Sequence, residues 1–389
     1  MKICGIICEF NPLHNGHEYL IKQAKDQGYK VLCLMSGNFS QRGIPCVLDK
    51  YTRAKLAIKA GASIVIELPF IYAVNSADQF AEGAIKLLKS LNVSTIMFGS
   101  ESGDKKSLEN LANFKLNETK LFKEKLANYL KQGENYNEAY ISAMSDTASD
   151  KTYENLALSP NDILASSYIK EIKKQKANID YIVIKRTDNG YNSNIPIHEY
   201  LSASSIIKLK QENKSYDAFV PPYTKAELNN TTDFNYSKLM GILQNTIINT
   251  SEKDLSKIFG YTEGLEYFVK KQIQSSTIYS QFLDNMQTKR YRKARLQKLL
   301  LYTALGLSKK DYKKIVAKTP AISVLAVKKQ DKDILSYLSK TKTKLIITHS
   351  DYTNLKPKET LSLNIDKKAN NLYSICTDKP QNKSINIFI

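Results

Sequence analysis

Short apolar runs alternate with amphipathic stretches along the first hundred positions of the chain. The runs at 3–8, 31–35, 64–67 and 95–98 have the length of buried strands, and the stretches between them at 17–27, 50–60 and 77–91 are predicted to be helices. Continuous apolar strands separated by helices are typical of a parallel sheet that is covered on both faces. Because such crossovers are right-handed, the pattern predicts a doubly wound parallel-sheet α/β domain.

The rest of the chain has a more polar and more helical pattern. Helices are predicted within 107–175, a fifth strand at 181–185, and a helix start in the hydroxyl-rich run at 202–208. Pro221 and Pro222 mark a linker. We therefore expect the α/β domain to occupy residues 1–220 and a mostly helical C-terminal domain to occupy residues 221–389, with short extended segments at 344–347 and 361–373.

Composition excludes several classes of protein. Apolar residues make up 42% of the 389 positions, which excludes a disordered or fibrous chain. No apolar run approaches the roughly 20 residues that cross a bilayer, and Glu9 interrupts the apolar start of the chain too early for a signal peptide. The five cysteines are scattered without metal-binding spacing. We expect a cytoplasmic protein with free thiols and no membrane association.

The net charge of +19 is concentrated in one part of the chain. Residues 281–345 carry 17 basic and 4 acidic side chains, a net charge of +13, and the densest stretch begins at Lys289. One interpretation is a surface that contacts the phosphates of a polyanion such as RNA. The other is a solvated helical face, since lysine is frequent elsewhere in the chain. Charge alone leaves both interpretations open.

The segment Asn11-Pro12-Leu13-His14-Asn15-Gly16-His17 follows the first predicted strand and opens the first helix. Ligands of open α/β sheets bind at the carboxyl ends of strands, where a helix N-terminus offers free N–H groups that suit a phosphate. His14 and His17 would stabilise charge that develops on phosphate oxygens. The alternatives are a metal-binding pair or a chance occurrence, but no Cys or third His has a matching spacing.

Longer stretches resemble the tRNA(Met) cytidine acetate ligase family, within the His-x-Gly-His nucleotidyltransferase-like superfamily. The resemblance is carried by 9–17, 35–43, 53–55, 67–69, 98–101, 159–164, 184–186 and 202–208, and more loosely by 262–264 and 288–291. It implies a Rossmann-like nucleotidyltransferase domain that binds ATP, followed by a basic tRNA-binding region. It also implies that acetate and ATP form acetyl-adenylate, from which the acetyl group passes to N4 of the wobble cytidine of elongator tRNA(Met).

The resemblance further implies the residues of each site. His14, His17 and Lys208 would be catalytic. The ATP-binding residues would be Ile7, Cys8, Glu9, Phe10, Asn11, Pro12, Leu13, His14, Asn15, Gly16, His17, Glu18, Tyr19, Leu20, Gly99, Asn161 and Arg186. The tRNA-binding residues would be Lys289, Arg290, Arg292, Lys293 and Arg295. ATP would be a substrate accompanied by Mg²⁺ that bridges its phosphates, with no prosthetic group, no protein metal ligand and no obligatory protein partner.

Considered without the resemblance, several of these positions have a second interpretation. Gly99 suits an ordinary turn, Asn161 a helix cap, and Arg186 a surface position. Gln41 and Arg42, in the loop after the second strand, would hold the acetate or the cytidine edge, or only form a turn with the two glycines beside them.

Glu67 and Lys208 are two further polar residues outside the predicted ATP-binding set. Glu67, at the end of the third predicted strand, is either a site carboxylate or a buried structural partner. Lys208 stands where the second phosphate motif of the superfamily usually ends in Arg, so it supplies a point charge rather than a bidentate fork.

Two competing functions follow from the same residues. A small-molecule adenylyltransferase would explain the histidine segment but not the basic region. A non-catalytic RNA-binding protein with a degenerate nucleotide fold would explain the basic region but has no need of the two histidines.

Overall fold

A computed structural model of the chain describes residues 1–148, 159–186, 201–262, 264–289 and 291–379. The strands in these ranges are β1 (Ile3–Cys8), β2 (Lys30–Ser36), β3 (Ile64–Leu68), β4 (Thr95–Ser100), β5 (Asp180–Lys185), β6 (Ile322–Val327) and β7 (Leu345–Ile346). Together they form one sheet with the order β5-β4-β1-β2-β3-β6-β7.

The first five strands form the parallel part of the sheet. β1 pairs with both β2 and β4, β2 pairs with β3, and β4 pairs with β5, all in parallel. The carboxyl ends of these strands therefore lie along one edge. Between β1 and β4 the strand order reverses direction, which is where ligands bind in open α/β sheets. The predicted doubly wound parallel sheet is confirmed.

Helices connect the strands and build most of the second half of the chain. Up to residue 211 they are α1 (Asn15–Asp26), α2 (Lys50–Lys59), α3 (Phe70–Ala73), α4 (Ala77–Ser90), α5 (Lys105–Leu116), α6 (Lys120–Lys131), α7 (Tyr136–Thr147), α8 (Pro160–Lys174) and α9 (Ala203–Gln211). Beyond it are α10 (Pro222–Asn229), α11 (Tyr236–Asn249), α12 (Glu252–Leu255), α13 (Leu265–Gln274), α14 (Tyr279–Asn285), α15 (Lys293–Leu305), α16 (Lys309–Val316), α17 (Asp333–Leu338), α18 (His349–Thr353) and α19 (Thr360–Thr377).

Apolar side chains on both faces of the sheet are buried against helices. Successive strand residues point to opposite faces, so Leu34 joins the apolar cluster that contains Leu88 of α4, while its neighbour Cys33 joins the cluster that contains Ile21 of α1. All five cysteines are buried free thiols. None of the helices in the described ranges is long and apolar enough to cross a membrane.

One sequence prediction for the C-terminal half was wrong. The segment at 361–373 is not extended but lies within α19, where Leu363, Ile365, Ala369, Leu372 and Tyr373 are buried. Within the region predicted to be mostly helical, residues 322–327 form the strand β6, which pairs antiparallel with β3. The extended segment predicted near residue 345 is present as β7. The division at residue 220 stays a prediction, although β6 and β7 extend the sheet from beyond it.

Candidate functional site

The loop between β1 and α1 places two histidines at the N-terminus of α1. His14 is the N-cap of the helix, and its Nδ1 accepts a hydrogen bond from the backbone N–H of Gly16 at 3.1 Å. The backbone N–H of His14 donates in turn to Nδ1 of His17 at 3.3 Å. The two rings stack with their centroids 3.7 Å apart. The two histidines therefore form a helix cap in which a backbone N–H holds each ring. The N–H of Gly16 holds the ring of His14, and the N–H of His14 holds the ring of His17.

These hydrogen bonds define the protonation of both rings. Because Nδ1 of each ring accepts a backbone N–H, the proton of each neutral imidazole is on Nε2. Burial, together with the positive charge of Arg186, lowers the pKa of His14 to about 3. His14 is therefore a neutral hydrogen-bond donor near pH 7, suited to stabilising charge on a phosphate oxygen.

Gly99 and Arg186 lie on the other side of the point where the strand order reverses. The backbone N–H of Arg186 donates to the carbonyl of Ser100 at 2.8 Å, which continues the pairing of β5 with β4. A Cβ atom at Gly99 would lie 3.2 Å from Cγ of Arg186. Gly99 therefore leaves room for the Arg186 side chain, whose charge acts on His14. The structure brings these three predicted residues together.

Asn161 lies at the start of α8, where it contacts a carboxylate that the sequence reasoning did not single out. Its side-chain amide donates to Oε1 of Glu101 at 2.6 Å, and the backbone N–H of Asp162 donates to Oε2 at 3.0 Å. Glu101 thus occupies the N-terminus of α8 and orients Asn161. The available signal was the run at 98–101, which the family resemblance includes.

The remaining residues of the predicted ATP-binding loop differ in how deeply they are buried and in what they contact. Cys8, Phe10, Pro12 and Leu13 are buried, so a nucleotide would meet their backbone rather than their side chains. A cleft of about 830 Å³ runs along the outer face of α1, and its lining includes Asn15, Glu18 and Tyr19. Ile7 and Leu20 are partly buried and pack against the apolar clusters. The side-chain oxygen of Asn11 accepts a hydrogen bond from the backbone N–H of Val47 at 2.8 Å. The backbone N–H of Gly16 is the donor to His14 described above.

The fully buried Arg53 holds this loop against the loop that follows β2. Its guanidinium donates to the backbone carbonyls of Glu9, Ser36 and Gly37. Nearby, Glu67 forms a buried ion pair with Lys50, with Nζ 2.7 Å from Oε2. Both arrangements are internal supports of the site edge, so Glu67 is a structural partner.

Lys208 lies on α9, which begins at a cluster of hydroxyl groups. Ser202 is the N-cap, and its Oγ accepts the backbone N–H of Ser205 at 3.2 Å. Nζ of Lys208 lies 4.0 Å from a carboxylate oxygen of Glu212, and the side chain is 59% exposed. Its predicted catalytic role stays a prediction.

The predicted tRNA-binding residues lie at the start of α15, except Arg290, which is outside the described residues. Lys289 and Arg292 line a cleft of about 380 Å³, where Arg292 forms an ion pair with Glu138 of α7. Arg295 lies over the ring of Tyr291, 4.7 Å from its centroid. Lys293 is exposed. These cations form an exposed basic surface at the N-terminus of α15.

Within the described ranges, no group of three or more His, Cys, Asp or Glu side chains is placed to hold a metal ion.

Comparison with known proteins gives matches over almost the whole chain. A model of the family described as HIGH nucleotidyl transferase matches residues 1–386. The tRNA(Met) cytidine acetate ligase of Clostridium perfringens is 34% identical, and the match covers 96% of this chain and 95% of that protein. The enzyme of the same name from Limosilactobacillus reuteri is 33% identical, with 98% and 97% covered.

Solved structures agree with these matches. The crystal structure of Thermotoga maritima TmcAL in its apo form I is similar to this chain with a TM-score of 0.87 and 28% identity, over 100% of both chains. The form II structure of the same protein, bound with alpha-thio ATP, has a TM-score of 0.85 at the same identity and coverage. A protein of the same fold therefore binds an ATP analogue.

Proposed function

This chain belongs to the tRNA(Met) cytidine acetate ligase family of HIGH nucleotidyl transferases, and from that membership we propose that it acetylates the wobble cytidine of elongator tRNA(Met). In this proposal acetate and ATP give acetyl-adenylate and pyrophosphate. The acetyl group then passes to N4 of the cytidine, and AMP is released.

One observation in particular supports the proposal. Two imidazoles, each accepting a backbone N–H at Nδ1 and so turning Nε2 outward as the donor, stand at the N-terminus of α1, at the edge where a parallel sheet reverses its strand order. This arrangement suits the transfer of an adenylyl group, because the charge that develops on the α-phosphate meets fixed hydrogen-bond donors.

In the first step an acetate oxygen attacks the α-phosphorus of ATP and pyrophosphate leaves. His14 and His17 would donate from Nε2 to the oxygens that gain charge, and Arg186 would add a positive charge on the other side of the crevice. Fixed neutral donors need no reorganisation as the charge develops. Lys208 would support the departing phosphates as a point charge. Mg²⁺ would accompany ATP as part of the substrate.

In the second step the cytidine amine attacks the acetyl carbon. N4 is conjugated to the ring and is a weak nucleophile, so the mixed anhydride and accurate placement of the base provide much of the rate. The wobble base lies in a single-stranded anticodon loop, from which it can be splayed out and read individually. The basic surface at 289–295 would hold the tRNA backbone.

The test supplies radiolabelled acetate and ATP, with and without bulk tRNA. We expect label on tRNA and acetate-dependent exchange of pyrophosphate into ATP. Exchange without label on RNA would favour the small-molecule adenylyltransferase, and neither activity would favour the non-catalytic RNA-binding protein. His14→Ala should lower the exchange rate roughly 100-fold, because it removes a donor to the transition state. His349→Ala, which changes an exposed histidine of α18, is the matched control.

A further inference from the structure

A second loop, between β2 and α2, reaches the end of β1 beside the histidine segment. The backbone N–H of Gln41 in this loop donates to Oε1 of Glu9 at 2.6 Å. Buried Arg53 binds backbone carbonyls on both sides of this contact, at Glu9 and at Ser36. The relative position of Glu9 and Gln41 is therefore fixed by the fold.

Gln41 carries a polar group with no partner. Its side-chain nitrogen Nε2 is buried and makes no hydrogen bond. A buried N–H₂ group without an acceptor is unfavourable, and such a group in a native protein calls for an explanation. A ligand that brings an acceptor to this position would provide one.

Glu9 and Gln41 are joined through the Gln41 backbone, so a hydrogen-bond acceptor and a side-chain donor belong to two segments in contact. The carboxylate of Glu9 is half-buried and, while it is ionised, can only accept hydrogen bonds, whereas Nε2 of Gln41 can only donate them. Cytosine offers the complementary pattern on its pairing edge, since N4 donates and N3 accepts. Acetate does not fit, because a second carboxylate beside Glu9 would be repelled. Uracil does not fit either, because its O4 accepts and its N3 donates.

Building on the function proposed above, we propose that Glu9 and Gln41 form the pocket for the cytosine that is acetylated. Glu9 accepts a hydrogen bond from N4, and Nε2 of Gln41 donates to N3. Recognition of a splayed base by hydrogen bonds to its pairing edge is the usual mode for RNA-modifying sites.

The surroundings of the loop connect this pocket to the basic surface. Gly43, with a φ of +74°, packs so closely on α15 that a Cβ atom there would lie 2.9 Å from the backbone nitrogen of Lys298. The loop therefore rests on the helix whose first turn carries Lys293 and Arg295. Arg42 is exposed in the same loop. The loop that carries Gln41 and the helix that carries the basic surface are therefore in direct contact.

In this pocket Glu9 can also accept the proton that N4 loses during acetyl transfer. N4 attacks the acetyl carbon, the new C–N bond forms, and the bond from that carbon to the phosphate oxygen breaks with AMP as the leaving group. The proton that N4 loses passes to the carboxylate of Glu9. Burial raises the pKa of Glu9, which makes this carboxylate a better proton acceptor than an exposed one.

The experiment uses the full-length protein and anticodon stem-loops of elongator tRNA(Met) that carry C or U at the wobble position. Wild type should bind the C form about tenfold more tightly than the U form. Gln41→Leu should reduce this preference to about twofold. Glu9→Gln keeps an acceptor oxygen for N4 but cannot take the proton, so the ratio of acetyl transfer to pyrophosphate exchange should fall about 100-fold. Gln27→Leu, an exposed glutamine at the end of α1, is the control.

Thermal melting of every variant separates loss of the pocket from loss of the fold. An unchanged preference for C over U in Gln41→Leu would overturn the proposal, and so would an unchanged transfer-to-exchange ratio in Glu9→Gln. If wild type showed no acetate-dependent exchange, the proposed activation of acetate would fail. The binding preference would still decide whether Glu9 and Gln41 read cytosine.

Discussion

His14 is held as a neutral imidazole, and this state makes stability depend on pH. Burial and Arg186 lower its pKa from 6.5 to about 3. Between these two values the unfolded chain binds a proton that the folded chain does not, so this residue lowers the free energy of unfolding as the pH falls. The contribution is up to about 1.4 kcal/mol per pH unit.

His14→Gln should therefore flatten the dependence of stability on pH. A glutamine oxygen can still accept from Gly16 at the helix cap, but it binds no proton. Urea unfolding of both proteins at several values from pH 7 to pH 4 gives the two slopes. Parallel curves for wild type and variant would show that His14 titrates normally in the folded protein.

The close contact between Gly99 and Arg186 makes it possible to test whether the position of the Arg186 side chain matters for ATP binding. In Gly99→Ala the added methyl group would meet Cγ of Arg186 at 3.2 Å and shift its side chain by a few tenths of an ångström. We expect the KM for ATP to rise roughly tenfold, since small misplacements of binding groups are costly. Gly241→Ala, where a Cβ atom would meet nothing within 4 Å, should leave the KM unchanged. Equal KM values in both variants would remove Arg186 from the ATP site.

At the scale of elements, a buried charge cluster joins α19 to the sheet. Lys50 of α2 is paired with Glu67 of β3, and the carboxyl group of Asp366 in α19 accepts a hydrogen bond from the backbone N–H of Phe70 at 2.7 Å. Burial and the charge of Glu67 raise the pKa of Asp366 to about 8, so Asp366 is neutral at pH 7 while Glu67 balances Lys50.

Replacing both acids should be more damaging than replacing either one. In Glu67→Gln, Asp366 can ionise and serve as the counter-ion of Lys50, whereas Glu67→Gln/Asp366→Asn leaves Lys50 unpaired. We expect the double variant to lose about 3 kcal/mol of unfolding free energy, measured by urea unfolding. Glu124→Gln, which breaks an exposed pair with Lys120, should change stability by less than about 0.5 kcal/mol. A double variant as stable as the single one would contradict this account.

The same elements show what the sequence could and could not predict. The five parallel strands were predictable because their apolar runs alternate with amphipathic helices. β6 is an apolar run of similar length, but it lies among predicted helices, where periodicity alone does not distinguish a short strand from a buried helix turn. In α19 the buried Asp366 interrupts the apolar pattern, and it is buried because it bonds to Phe70, nearly 300 positions away in the sequence.

The candidate site was predictable to a similar degree. His14 and His17 follow from local spacing, because a strand before them and a helix after them place both at the sheet edge. The roles of Glu101 at α8 and of Arg53 between two loops depend on contacts between distant segments, which a single sequence does not contain.

For the whole molecule, the basic surface predicts how tRNA binding responds to salt. Lys293→Ala/Arg295→Ala removes two exposed cations, so the slope of log affinity against log salt should become shallower by about 1.5. Lys120→Ala/Lys123→Ala removes the same charge from exposed positions of α6 and is the control. Filter binding at several salt concentrations measures both. If only the control changed the slope, the tRNA would bind along α6 instead of the start of α15.

The antiparallel pairing of β6 with β3 has a consequence for how the chain is made. Until the ribosome has released residue 327, the outer edge of β3 has no neighbour, and an uncovered edge strand is a template for association with other chains. The nascent protein therefore passes through most of its synthesis with this edge open. Truncation by premature termination should accordingly yield insoluble fragments rather than an independent nucleotide-binding unit.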